Sequence, residues 1–451
     1  MLVLAVMPAA LAGLLVAPTA RAAITGPTPI QHVVIVDMEN HSFDNVLGKL
    51  CVVDSRCDGA TTGKLPDGST IPLAQAANTV PSAKHTGAAQ RTAIDHGKMD
   101  GFGRISNCTA SYGYVCYSQF DPSQIPNLAA LARQYAISDR TFEMNTIPSW
   151  GAHLELVAQS LDHFVAGDNP APAPGVQAGP GWGCDSNEDA LWRAPGTTTK
   201  TPEPSCIPDY SLDPAQFPYG GAYRATDVAY VPTIMDRLDA AGLSWKLYAG
   251  TGAPGTGTGY AWAICPTFAE CLYTAQRQNM VAADSVMTDA KNGALPAFSV
   301  VIPTAANSQH NDDLMDAGDN WLGSVVSAIE AGPQWGSTAV FITYDDCGCF
   351  YDHVPPPTGL GIRVPMVIAS PYAKPGFTDS NAASFSSMLA FTEHVFGLTA
   401  LSGRDAGAYD FASSFDFTQA HMAPTKLVQR PLTPAERRYI RRHRNAPDDS
   451  T

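Results

Sequence analysis

Basic side chains are scarce in this chain. Of its 27 Lys and Arg, seven fall between Lys426 and Thr451 beside three acids, so residues 1–425 hold 20 basic and 39 acidic groups. A body that negative repels nucleic-acid phosphates and offers no broad basic binding face. There is no internal repeat, and no Gly-x-Ser-x-Gly turn of the kind that presents a hydrolase nucleophile. A long uninterrupted apolar run is also missing. The most apolar stretch, residues 1–23, is broken by Pro8 and Pro18 and is short for a membrane span. It ends Ala20-Arg21-Ala22-Ala23, a small-residue cleavage pattern, and reads as a secretory signal peptide whose basic start lies further upstream. An uncleaved anchor is the alternative.

What is present fits export. Ten cysteines fall mostly in short-range couples, Cys51 with Cys57, Cys108 with Cys116, Cys184 with Cys206 and Cys265 with Cys271, each able to staple a local loop. Cys347 and Cys349 stand too close together for an easy mutual bond. They are expected to be disulfide cysteines of an oxidising compartment, and a thiolate metal site with His353 is the rival reading.

With 451 residues and 45% hydrophobic content, the chain can bury a substantial core. Strand patterns at His32 to Met38, Ser244 to Tyr248, Phe298 to Ile302, Ala339 to Thr343 and Val364 to Ser370 are interleaved with helical ones. The helices are expected at Ile125 to Tyr135, His153 to Ser160, Tyr230 to Ala241, Asn320 to Ala331 and Ser384 to Phe396. This alternation predicts an α/β fold with a mainly parallel sheet covered on both faces. Gly and Pro together make 74 of 451 residues, concentrated in long loop insertions such as Cys51 to Lys98 and Gly167 to Ala222. The strand pattern resumes after each loop, so residues 24–425 read as one domain and 426–451 as a basic tail. In that tail Thr433-Pro434-Ala435-Glu436 is a capping box opening a short Arg-rich helix. The helix is either a solvated terminus or an anchor for anionic lipid or cell wall.

In an open α/β sheet, ligands sit beyond the carboxyl ends of the strands. The densest signal there is Asp345-Asp346-Cys347-Gly348-Cys349-Phe350-Tyr351-Asp352-His353, three carboxylates and an imidazole within nine residues after one strand. Acids so close repel one another unless a cation is supplied. Glu39 and Asn40 leave the first strand, where a carboxylate and an amide carbonyl could ligate a cation. Ser149, in Pro148-Ser149-Trp150-Gly151-Ala152-His153, is placed just before a helix, where it is either a cap or a nucleophile at the positive dipole end. His310 follows another strand and could bind metal or protonate a leaving oxygen. His85 and Asp100 are weaker candidates of the same kind.

Taken together, Met38-Glu39-Asn40-His41-Ser42-Phe43-Asp44, the His85 to Gly103 stretch, Pro148-Ser149, Gln309-His310, Thr343 to Pro356, Arg363-Val364-Pro365 and Ser370-Pro371 resemble, in order, the blocks of the bacterial phosphoesterase family. That family contains secreted acid phosphatases and large non-specific phospholipases C on an alkaline-phosphatase-like fold. The resemblance runs from about Gln31 to Leu398. It implies Ser149 as nucleophile, His310 or His353 as proton donor to the leaving oxygen, and Asn40 and His85 at the phosphate. It implies Glu39, Asn40, Asp345 and Asp346 around a divalent cation, which oxygen and imidazole ligands leave open among Mg, Ca, Mn and Zn. His41 in place of an Arg, Trp150 to His153 in place of a Pro-Asn-Arg run, Asp346 in place of a Glu, and the two cysteines of the acidic turn depart from the pattern.

The expected activity is therefore secreted, metal-dependent hydrolysis of phosphate monoesters through a phosphoserine. No sequence remains for the β-rich C-terminal domains of the large phospholipases C, which favours a compact phosphatase. The basic tail and Trp-containing loops keep a phospholipid diester as the alternative. A calcium-stabilised, non-enzymatic secreted protein is a further alternative. Sulfatase-like hydrolysis is the weakest, because no Cys or Ser lies in a sulfatase signature context.

Overall fold

A computed structural model describes residues 27–165, 169–177, 179, 181–212, 224, 226–250, 262 and 264–443. The proposed signal peptide, the end of the basic tail and most of the Gly250 to Thr258 loop lie outside the described residues.

Eight strands form the main sheet. In chain order they are β1 (His32–Met38), β2 (Ala136–Ser138), β3 (Trp245–Tyr248), β4 (Met280–Val281), β5 (Phe298–Val301), β6 (Thr338–Tyr344), β7 (Met366–Ala369) and β8 (Thr378–Asp379). Across the sheet they lie β4-β3-β5-β1-β6-β7-β2-β8. All run parallel except β7, which is antiparallel to both β6 and β2. The expected mainly parallel α/β sheet is therefore what the chain forms. β2, β4 and β8 have no counterpart in the sequence pattern, because two or three residues are too few to show a period.

The sheet is covered on both faces, and alternation along β1 decides which residue meets which layer. Val33 and Ile35 pack into one core with Leu154, Val157, Phe341, Leu389 and Phe391. Val34, Val36 and Met38 pack into the other with Leu128, Leu131, Leu322 and Val326. The first layer includes the helices α1 (Ser149–Ala158) and α2 (Phe385–Phe396). Continuing the alternation, Asp37 and Glu39 fall on the side of α1, and along β6 so do Thr343 and Asp345.

Helix boundaries shift from the sequence expectation in one instructive place. α1 begins at Ser149 rather than at His153, so Ser149 is the first helical residue and Pro148 takes the cap position. Every residue of α1 is buried, and packing supplies the stability that propensity does not.

The four expected cysteine couples are bonded, and Cys347 and Cys349 are free and buried. The Arg-rich helix spans Pro434–His443, with Thr433 N–H donating to Glu436 at 2.6 Å and Glu436 N–H donating back to Thr433 Oγ1 at 3.2 Å. Among the described residues, no helix is long and apolar enough to cross a membrane.

Candidate active site

The pairing of β1 with β6 puts Met38 opposite Tyr344, so both strands end at the same level. The next residues, Glu39 and Asp345, emerge side by side, and Asp345 N–H donates to Met38 O at 3.0 Å. The chain then turns through Asn40 in the left-handed region (φ 63°), a conformation Asn tolerates, and Asn40 N–H donates to Asp345 Oδ1 at 2.8 Å. From the other side the acidic turn closes through Gly348 (φ 50°), where a Cβ would sit 2.1 Å from Asn40 O. Glycine is required there by close approach of two backbones as well as by φ. Gly348 N–H donates to Asp346 Oδ1 at 2.6 Å, which fixes the second acid of the pair.

α1 delivers the hydroxyl and an imidazole to this pair of strand ends. Ser149 Oγ lies 3.5 Å from Asn40 Oδ1. His153, four residues on, shares the same helix face. Its Nε2 lies 3.5 Å from Glu39 Oε1 and 3.7 Å from Asp37 Oδ2. His85 accepts from Asn40 Nδ2 at 3.4 Å through Nε2 and donates through Nδ1 to Ala83 O at 2.9 Å. The His310 ring packs edge-on to His85 with centroids 6.0 Å apart and is stacked by Trp262. His41 is turned to Asn45 Oδ1 (2.7 Å) and Gln309 O (3.0 Å), which ties the first turn to the loop carrying His310.

Among the described residues, no Lys or Arg pairs with Asp37, Asp345 or Asp346. Asp37, Glu39, Asp345 and Asp346 are all within 1% of complete burial. Both oxygens of Asp37, Oδ2 of Asp345, Oδ2 of Asp346 and both ring nitrogens of His153 have no hydrogen-bond partner among the described residues. Burial first, and Asp345 second, push the carboxyl groups of Asp37 and Asp346 well above the usual range. Burial likewise lowers His153 to about 4. Such a buried environment disfavours every charge in it unless an opposite charge joins it. Glu39, His153 and Asp345 each present a ligand atom, all within 4.8 Å of one another, a donor set that fits a divalent cation.

The far end of the acidic turn goes elsewhere. Asp352 and His353 join Asp44 in a second group. His353 Nδ1 meets Asp44 Oδ2 at 2.5 Å and Nε2 meets Asp58 Oδ1 at 3.0 Å, so both ring nitrogens are engaged. Arg363, completely buried, reaches Asp352 with Nε at 3.1 Å and Asp44 with Nη2 at 3.2 Å, and stacks on Phe43. Nine residues of sequence therefore serve two different sites. Glu39, Asn40, His85, Ser149, His310, Asp345 and Asp346 are brought together, and His353 is not among them. Neither cysteine belongs to a metal-type group among the described residues. Asp37 and His153, which the sequence pattern does not mark as ligands, lie beside this group. Their signal is the spacing: Asp37 is two residues before Glu39 on a strand, and His153 four after Ser149 on a helix.

The strand ends of this α/β sheet thus carry a buried acidic cluster with a serine hydroxyl at a helix N-terminus beside it. A profile of the Phosphoesterase family matches residues 30–399, and the chain belongs to that family. It is 26% identical over 425 residues to a non-hemolytic phospholipase C of Burkholderia pseudomallei, covering 81% of this chain and 55% of that protein. It is 26% identical over 446 residues to non-specific phospholipase C1 of Arabidopsis thaliana, covering 86% of this chain and 71% of that one. Against the first of these relatives the chain spans about half the length. Among solved structures, a protein in the alkaline phosphatase superfamily from Vibrio parahaemolyticus aligns with 86% of this chain and 71% of its own, at 13% identity and a TM-score of 0.38.

Proposed function

We propose that this protein hydrolyses phosphoric esters with Ser149 as nucleophile. The observation that carries the reading is the convergence of Ser149, Asn40 and the buried acids at adjoining strand ends, with Ser149 Oγ 3.5 Å from Asn40 Oδ1. A divalent cation held by Glu39, Asn40, Asp345 and Asp346 would supply positive charge to a phosphoryl oxygen and make the serine hydroxyl more acidic. Ser149 Oγ then attacks phosphorus, its proton passing to solvent. The Oγ–P bond forms as the P–O bond to the leaving group breaks in line. His310 gives a proton to the leaving oxygen, a task to which it is better placed than His353, whose two nitrogens are held by Asp44 and Asp58. Asn40 and His85 orient the phosphoryl oxygens, and the N-terminus of α1 favours their negative charge. Water next cleaves the phosphoserine and releases phosphate.

A phosphate monoester is the first substrate class. A phospholipid diester is the second reading, favoured by the two relatives, both named as phospholipases C. Four bonded cysteine couples support action outside the cell. The exposed Arg-rich helix supports contact with an anionic lipid or cell-wall surface. Hydrolysis of para-nitrophenyl phosphate before and after chelation tests the chemistry: full activity in excess chelator contradicts the metal role. Parallel assays on a monoester and on phosphatidylcholine vesicles, with and without residues 433–451, separate the substrate classes. That cut spares Val428 and Arg430, which are bonded to Asn127 and Asn320.

A further inference from the structure

His153 and Asp37 have no part in the proposed reaction, and both lie in the wall of the site. His153 falls in the run that departs from the family pattern, so the resemblance gives it no role. It is 2% exposed, and Asp37 is 1% exposed. Neither ring nitrogen of His153 and neither oxygen of Asp37 has a hydrogen-bond partner among the described residues. A buried imidazole of this kind normally settles against a carbonyl or carboxylate within hydrogen-bond reach. Here Nε2 is aimed between two carboxylates at 3.5 and 3.7 Å, close enough to share an ion with them and too far for good hydrogen bonds.

We infer that His153 is a ligand of the site's cation, with Asp37 as an additional carboxylate, and that the site therefore selects a borderline transition cation over magnesium or calcium. The inference rests on the cation site of the proposed function. Its chemistry follows from ligand type: hard alkaline-earth ions take oxygen shells, whereas imidazole suits iron, nickel, copper and zinc. Its geometry follows from the fold. The i, i+4 spacing on α1 lets one helix face present both the nucleophile and a nitrogen ligand. The i, i+2 spacing at the end of β1 lets one strand edge present Asp37 and Glu39 to them.

The test is pulsed electron paramagnetic resonance of the chelated full-length protein reloaded with Mn²⁺. A histidine nitrogen coupling is expected in the wild type, lost in His153→Gln and kept in His310→Gln. Competition titration should show the preference for Zn²⁺ over Mg²⁺ falling in His153→Gln by at least the roughly 10- to 100-fold that loss of an outer-shell partner costs. A wild-type spectrum without nitrogen coupling overturns the inference whether or not the variant folds. So does a coupling or a metal preference that survives His153→Gln in a protein of unchanged circular dichroism. Nitrogen-ligated Mn²⁺ in a protein that hydrolyses no phosphoester would leave this inference standing and remove the functional reading. Hydrolysis with oxygen-only ligation would do the reverse.

Discussion

Two groups of carboxylates and histidine sit on this scaffold, built from the same residue types and solved in opposite ways. In Asp44, Asp352 and His353 the chain supplies its own cation. Arg363 spans both acids, and backbone N–H groups of Ala60, His353, Asp44 and Val354 fill further acceptor positions on them. In Asp37, Asp345, Asp346 and His153 no Lys or Arg is in contact among the described residues, and several polar atoms make no hydrogen bond there. The first arrangement is a closed ion-pair network that locks the acidic turn to the first turn. The second has no such partner for Asp37, Asp345 and Asp346 among the described residues, and on the proposed function an added cation would supply the balance. Acid clusters are thus not interchangeable evidence for a metal; what decides is whether the protein has already neutralised them.

The largest effect that can break this contrast is on turnover. Ser149→Ala should lower kcat by at least about 10³-fold. Melting temperature and metal content should stay unchanged, because the hydroxyl makes one long contact. Turnover within tenfold of wild type would move the nucleophile elsewhere. Next comes Arg363→Met. Removing the cation from the closed network leaves two buried acids uncompensated, and denaturant unfolding should show a loss of about 3–5 kcal/mol. Bound metal per folded chain should not change.

Chelation should act on the other group alone. A cation at about 100 times its dissociation constant stabilises by about 2.7 kcal/mol, so stripping it should lower the thermal midpoint and reloading should restore it. A midpoint indifferent to chelator would place that group with the closed ones. The smallest effect concerns pH. Burial alone would lower His353, but its contact with Asp44 and the charges of Asp44 and Asp352 outweigh burial and raise it. A raised histidine contributes stability that is complete below the ordinary value of about 6.5 and lost as pH rises through the folded value. His353→Gln should remove that alkaline decline from the pH profile of the melting temperature and leave the acid limb in place.

The scaffold was legible where residues repeat. The β-branched runs of β1 and β6 mark two central strands to within a residue, and carboxylates immediately after such runs point to strand ends. The Thr433 to Glu436 capping box likewise locates the tail helix. What escaped was whatever depends on direction rather than sequence distance. Asp346 and Asp352 are six residues apart, yet positive φ at both Gly348 and Cys349 turns the chain between them, so a single acidic motif divides between two sites. Asp37 is hidden inside an aliphatic strand, where an isolated acid carries no pattern of its own. His153 lies in a stretch read as the start of a helix, and a start four residues too late conceals that it shares a face with Ser149.

The most direct test is metal content per folded chain in Asp345→Asn and Asp352→Asn, each chelated, reloaded with excess divalent cation and desalted before elemental analysis. The division between the two clusters predicts that Asp345→Asn loses most of its bound metal and Asp352→Asn keeps the wild-type amount. Retention in the first or loss in the second would contradict it.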